Sequence, residues 1–223
     1  MCSSDLAFKF NDDHKLSLFF NRRVDRPNEV DIRVFPKYDD AEIIKVGNPG
    51  LRPQFTNSIE LGYKTNWANG YFYSALYHRF ADGTITRISS TVPGSTIIYA
   101  IFQNAGRSYN TGVEMTFDQK VSSNYNFNVN GTLYHNQINA FSVQNLYPQP
   151  NVFSAALQEI TSWNLKVNNF FRFGGKYEAQ VTAIYLAPDI IPQGKIAERF
   201  SLDVGMKRQI QKGKGELFFN ATD

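Results

Sequence analysis

The side chains best able to do chemistry are scattered along the chain rather than gathered. His14, His78 and His135 lie far apart, with no Cys, Asp, Glu or Ser beside them at the spacing of a metal site or a catalytic triad. They read as solvated histidines. The glycine-lysine stretch at residues 211 to 215, QKGKG, lacks the Gly-x4-Gly-Lys-Ser/Thr spacing that cradles phosphates and reads as a turn. The sequons at Asn130 and Asn220 fall inside strand-like sequence and carry no implication. Two groups remain. Arg22, Arg23, Arg26 and Arg33 run from a strand end into a long connection, where Arg26 and Arg33 could hold an anionic group by charge-assisted hydrogen bonds. Their plainer reading is pairing with acids such as Glu60 or Asp25. Phe141, Tyr147 and Phe153, in another connection, could contact a ligand or simply fold back onto neighbouring structure. No enzymatic chemistry, metal or cofactor is expected.

Composition points to strands. Aromatic residues make up 15% of the 223 (19 Phe, 12 Tyr, 2 Trp) and apolar residues only 42%, a balance suited to strands with one apolar and one polar face. The net charge of +3 is mild and the basic residues form no block, so nucleic acid is not an expected partner. A single cysteine, Cys2, excludes a disulfide framework. No apolar run reaches the roughly 18 to 20 residues of a membrane helix, but a transmembrane strand needs only about 9 to 11 and hides its signal by alternating.

That alternation dominates. In NYNFNVNGTLYHN, Tyr125, Phe127, Val129, Gly131 and Leu133 share one face while Asn124, Asn126, Asn128, Asn130 and Thr132 share the other. SWNLKVNNFFRF, KYEAQVTAIYL and FSLDVGMK repeat the pattern, with Phe170 an aromatic exception on a polar face. Tight turns at 11–14, 66–70, 122–124, 174–176 and 211–215 alternate with other connections at about 25–54, 90–95, 137–160 and 187–198, most of them long. Asn69-Gly70 and Gly174-Gly175 are expected hairpin centres. The stretches 70–90 and 96–120 are expected to be unusually long strands, the second bulged near Gly106. Together these predict an all-β, antiparallel up-and-down meander of about nine strands.

Residues 1–6, MCSSDL, read back through codons as the end of a short-read sequencing adapter, so they are expected to be foreign sequence and residues 7–223 a barrel segment truncated at both ends.

Five stretches then align with one family: FNRRVDRPN (20–28), GNPGLRPQFTNSIELGY (47–63), QNAGRSYNTGVEMTF (103–117), PQGKIAERFSLDVGMKR (192–208) and LFFNATD (217–223). In this order they resemble the C-terminal β-barrel of TonB-dependent outer-membrane receptors, in the form known as the outer membrane protein β-barrel family of Bacteroidota. The most specific part is the corner Asn48, Pro49, Leu51, Pro53, followed by Glu60, Leu61 and Gly62; Gln54 stands where the family often has an acid.

The resemblance implies part of a plugged barrel of the 22-strand class in a Gram-negative outer membrane. It further implies lipopolysaccharide around the barrel, and a plug and a TonB-contacting box N-terminal to it. The implied function is uptake of a scarce nutrient: siderophore-bound iron, cobalamin, or a glycan or peptide. An isolated segment would leave two open sheet edges and an apolar outer face. Glu60 would then face the lumen, with Ile59, Leu61 and Tyr63 facing lipid, and the proline corner would set the register of the strand. Trp67, Tyr71, Tyr73, Trp163, Phe173 and Tyr177 would form a girdle beside the short turns. The alternative from another class is a soluble secreted β-sandwich or lectin-like module, which predicts short strands and a solvated outer face.

Overall fold

The computed structural model describes residues 2–38, 42–92, 94–210 and 214–222. In chain order the elements are β1 (Cys2–Lys9), β2 (His14–Asp25), α1 (Glu29–Ile32), β3 (Lys37–Tyr38), β4 (Ile43–Val46), β5 (Gln54–Trp67) and β6 (Gly70–Asp82). There follow β7 (Ile85–Thr91), β8 (Ile98–Asn104), β9 (Arg107–Lys120), β10 (Tyr125–Ile138), β11 (Phe141–Asn145) and β12 (Asn151–Ala155). The last are β13 (Gln158–Phe173), β14 (Tyr177–Leu186), β15 (Asp189–Ile191), β16 (Gly194–Ile196), β17 (Arg199–Ile210) and β18 (Gly215–Ala221).

Ten of these strands form one antiparallel meander, β1-β2-β5-β6-β9-β10-β13-β14-β17-β18, one more than the turn count predicts. The sheet is open: β1 and β18 are its edges and do not pair with each other among the described residues. Its strands are long, with 14 residues in β5, β9 and β10 and 16 in β13, enough to cross a bilayer core.

Register turns the alternating sequence into two surfaces. Leu6, Leu18, Leu61, Leu76, Val113, Leu133 and Trp163 occupy one row across seven strands. The next row on that face carries Phe8, Leu16, Tyr63, Ser74, Met115, Gly131, Leu165, Tyr185 and Phe200. Leu76 and Leu133 are 56% and 51% exposed, far more than a soluble sandwich leaves open over so wide a band. On the opposite, inner face the rows read Ser17, Gly62, Ala75, Glu114, Thr132, Asn164 and Phe19, Glu60, Tyr77, Gly112, Tyr134, Ser162.

The turns sit where the sequence places them, with two refinements. Gly174 and Gly175 adopt φ of 54° and 67°, as a hairpin centre of this kind requires. At the other glycine turn the centre is Ala68-Asn69, because Trp67 pairs with Gly70. Gly70 is a strand residue, and a Cβ there would stand 2.1 Å from the Asp118 carbonyl oxygen, so close approach of β9 is what demands glycine. Residues 211–213 of the last turn, and Pro93 of the 90–95 connection, lie outside the described residues.

The two very long strands expected over 70–90 and 96–120 are instead four. The hairpin leaves the ten-stranded sheet at Gly83 and Gly106, both at positive φ, where Gly83 and Thr84 donate to the Gly106 carbonyl. Beyond that crossing β7 and β8 join β3 and β4 in a second sheet of order β3-β4-β8-β7, whose β4–β8 pair is parallel. Ile44, Val46 and Ile101 form its buried apolar cluster, with Ile97 and Tyr99 against it. Short hairpins β11–β12 and β15–β16 occupy the remaining long connections. All of these extra elements arise at one end of the meander, opposite the tight turns.

The aromatic girdle is narrower than expected. Trp67 lies beside its turn, and Phe173 pairs with Tyr177 at the Gly174 turn. Trp163, however, sits mid-strand beside Leu133, and Tyr71 and Tyr73 point to the inner face because their register positions alternate with those of Phe72 and Ser74.

Candidate ligand-binding site

The proline corner organises the end of the molecule that carries the long connections. Leu51 donates its N–H to the Asn48 carbonyl (3.1 Å), closing a four-residue turn with Pro49 at its second position. The Asn48 carboxamide oxygen accepts from Gly50 N–H (2.9 Å), while its Nδ2 donates to the Phe102 carbonyl (3.1 Å) and to Gln103 Oε1 (3.0 Å). Gln103 then donates to Asn145 Oδ1 (2.7 Å), and Asn145, wholly buried, donates to Asn151 Oδ1 (3.1 Å). One line of side-chain amides thus joins the corner, β8, β11 and β12.

Arg52 and Asn104 add a reciprocal pair: Arg52 N–H donates to Asn104 Oδ1 and Asn104 Nδ2 to the Arg52 carbonyl, both at 2.9 Å. On the corner's other side Gly47 and Asn48 donate to the carbonyls of Arg33 and Asp31. A Cβ on Gly47 would lie 2.4 Å from the Arg33 carbonyl oxygen, so this contact also requires glycine.

Two cavities flank the corner. One, of about 480 Å³, is lined by Val34, Asn48, Pro49, Gln103, Leu146 and Tyr147 among others. The second, of about 360 Å³, lies beside α1 and includes Arg33. The fold therefore brings Arg33 and Tyr147 to adjacent cavities and leaves Arg26 and Phe141 away from both. Tyr147 packs edge-on against Tyr99 (5.6 Å between centroids). Phe141 is held by Phe153 (5.9 Å) and would touch a Cβ on Gly106. Arg26 is exposed in the connection after β2.

The other arginines divide by face. Arg23 pairs with Asp25 (2.9 Å), whereas Arg22 lies over the Phe55 ring (5.1 Å). The histidines bond to neighbouring-strand hydroxyls: His14 with Tyr63, His78 with Thr111 and His135 with Thr161.

Along the inner face a polar lining forms. The Tyr73 hydroxyl donates to Glu60 Oε1 (2.7 Å), so the partner of that carboxylate is a phenol rather than an arginine. Arg79 pairs with Glu114 (2.8 Å) and lies over Tyr77 (4.0 Å). Hairpin β15–β16 packs on this face. Asp189 accepts from the Tyr134 hydroxyl and Asn136 Nδ2, both at 2.9 Å, and Ser162 donates to the Pro188 carbonyl (2.6 Å). Gln193 in the same hairpin exchanges two hydrogen bonds with the Ser89 backbone on β7, accepting at 2.7 Å and donating at 2.9 Å. Gln54 accepts from Ile85 N–H on the same strand (2.8 Å). At the outer rim Arg107 Nε donates to Asp82 Oδ1 (3.1 Å).

The sequence does not single out Arg87, Phe102, Asn145 or Asp189 as site residues. Gln103 and Asn104 open one of the five family stretches, which was the available signal for their role.

Several solved structures share this fold over nearly the whole chain. The fold is similar to that of the siderophore receptor PirA from Pseudomonas aeruginosa, with a TM-score of 0.67 and 10% identity over 99% of this chain and 38% of that one. It is also similar to a variant of the ferric enterobactin receptor PfeA from Pseudomonas aeruginosa, at 0.59 and 12% over 94% and 32%. The copper transporter OprC gives 0.63 and 13% over 93% and 32%. This chain thus spans about a third of the length of each, and at such identities the likeness concerns the fold. Family follows from sequence: the model of the outer membrane protein beta-barrel family matches residues 3–223, and the chain belongs to that family.

Proposed function

We propose that this chain is the membrane-spanning barrel portion of a TonB-dependent outer-membrane receptor that takes up a scarce nutrient. The supporting observation is the pairing of a continuous apolar band on one face with a polar, hydrogen-bonded lining on the other, in a single open meander. Such a sheet satisfies its backbone in lipid only as part of a closed barrel, which takes further strands to complete. The family resemblance adds an N-terminal plug and a TonB-contacting box as the partners of such a barrel. Lipopolysaccharide of the outer leaflet surrounds the barrel. The cargo is siderophore-bound iron, cobalamin, or a glycan or peptide; the siderophore receptor of similar fold fits the first of these, while the copper transporter of similar fold carries a cargo outside that range. The Asn48-to-Gly62 corner supports a Bacteroidota origin. Arg33 and Tyr147 belong to the capturing face, with Arg26 and Phe141 as outer contacts.

In this reading residues 1–6 are foreign, and raw reads across those codons test it. The functional reading is tested on the full-length protein, which should fractionate with the outer membrane, show heat-modifiable gel mobility, and require TonB for uptake of its cargo. A soluble protein with unmodified mobility would sink it.

A further inference from the structure

The cavity of about 360 Å³ between α1, the β3–β4 pair and the β7–β8 hairpin gathers Arg33 and Arg87 with Phe35 and Phe102, and among the described residues that line it the one carboxylate is that of Asp31. That carboxylate is already engaged, accepting from Asn28 N–H (3.1 Å) in the capping box that starts α1. Arg33 reaches Glu29 only at 3.9 Å, and the Glu29 side chain is 83% exposed, so water screens the pair and leaves the guanidinium's donors largely available. Arg87 lies over the Phe102 ring, 5.1 Å from its centroid, and no carboxylate stands within ion-pair distance of it among the described residues. A guanidinium over a ring keeps its N–H donors, and a planar fork of this kind can pair two-to-two with a carboxylate. Phe35, 72% exposed, adds an apolar ring at the same opening.

We infer that this cavity is a binding subsite for an aromatic carboxylate: the charged group held by Arg87 and Arg33, the flat body against Phe35 and Phe102. The inference deepens the receptor reading above and rests on it. An aliphatic anion would gain the charge contacts alone, and a neutral aromatic the ring contacts alone.

The test is calorimetric titration of the full-length, detergent-solubilised protein with benzene-1,3,5-tricarboxylate, its triamide, citrate and inorganic phosphate. The tricarboxylate should bind most tightly and weaken as salt rises. Arg87→Gln should weaken it roughly tenfold or more, with Arg87→Lys in between, since Lys keeps the charge but loses the planar fork. Phe35→Ser should reduce tricarboxylate binding while leaving citrate unchanged. Equal affinity for the triamide, stronger binding of phosphate, or indifference to both Arg87 variants would overturn the inference. Heat-modifiable mobility of the same preparation separates the two levels: a protein that assembles as a barrel but does not prefer the tricarboxylate refutes the subsite alone, and one that does not assemble refutes the receptor reading with it.

Discussion

The Tyr73 hydroxyl reaches across Gly62 to donate 2.7 Å to Glu60, and the passage is open only because position 62 has no side chain. A Cβ there would stand 2.6 Å from that hydroxyl and 2.9 Å from Ser17 Oγ. Gly62→Ala is therefore expected to turn Tyr73 aside and strip the Glu60 carboxylate of its partner, lowering stability by about 1–3 kcal/mol. Tyr73→Phe, which removes the bond without crowding, should cost a similar amount. Urea unfolding of the refolded barrel in lipid vesicles measures both, and an unchanged midpoint for Gly62→Ala would refute the relationship.

The two faces of β10 should respond oppositely to charge. Leu133 belongs to the apolar band, between Val113 and Trp163, while Thr132 faces Glu114 and Asn164. Leu133→Arg is expected to destabilise the membrane-inserted protein by about 2–4 kcal/mol, and Thr132→Arg far less. Equal losses would show that the assigned faces are wrong.

Asn48 carries the chain of amides that runs to Asn145 and Asn151. Asn48→Ala removes its bonds to Phe102 and Gln103, about 1 kcal/mol apiece, from the second sheet alone. Limited proteolysis should cut faster between residues 26 and 53, while heat-modifiable mobility stays normal. Loss of barrel assembly instead would mean that the corner guides strand pairing as well as loop order.

Asp189 fastens hairpin β15–β16 to the inner face. Asp189→Ala leaves Tyr134 and Asn136 without their acceptor, and hydrogen exchange at residues 189–196 is expected to rise by roughly tenfold or more, since hydrogen bonds to a charged group contribute about 1.5–3 kcal/mol each. Unchanged exchange would show that Ser162 and Gln193 suffice to hold it.

The meander was legible because its cause is local: a two-residue period sorts Tyr125 to Leu133 from Asn124 to Thr132, and glycine turns mark the ends. The second sheet was not, since β4 finds β8 in parallel across more than fifty residues, and no local pattern encodes that partner. Continuous strand character through Gly83 and Gly106 concealed the change of sheet, because β7 and β8 alternate like β6 and β9. The corner could be recognised as a rigid device from its prolines, but the partners of Asn48 depend on where β8 ends. Arg33 and Tyr147 stood out by residue type; Arg87 was hidden in a strand whose neighbours only the tertiary fold supplies.

Strand β7 is the outermost member of the second sheet, and its backbone is met at Ile85 and Ser89 by the amides of Gln54 and Gln193, which imitate a neighbouring strand without extending it. Barrels of this family crowded together in a membrane would present such borders to one another. A border partly occupied by side chains is a poorer template, which disfavours stitching of adjacent molecules into fibres.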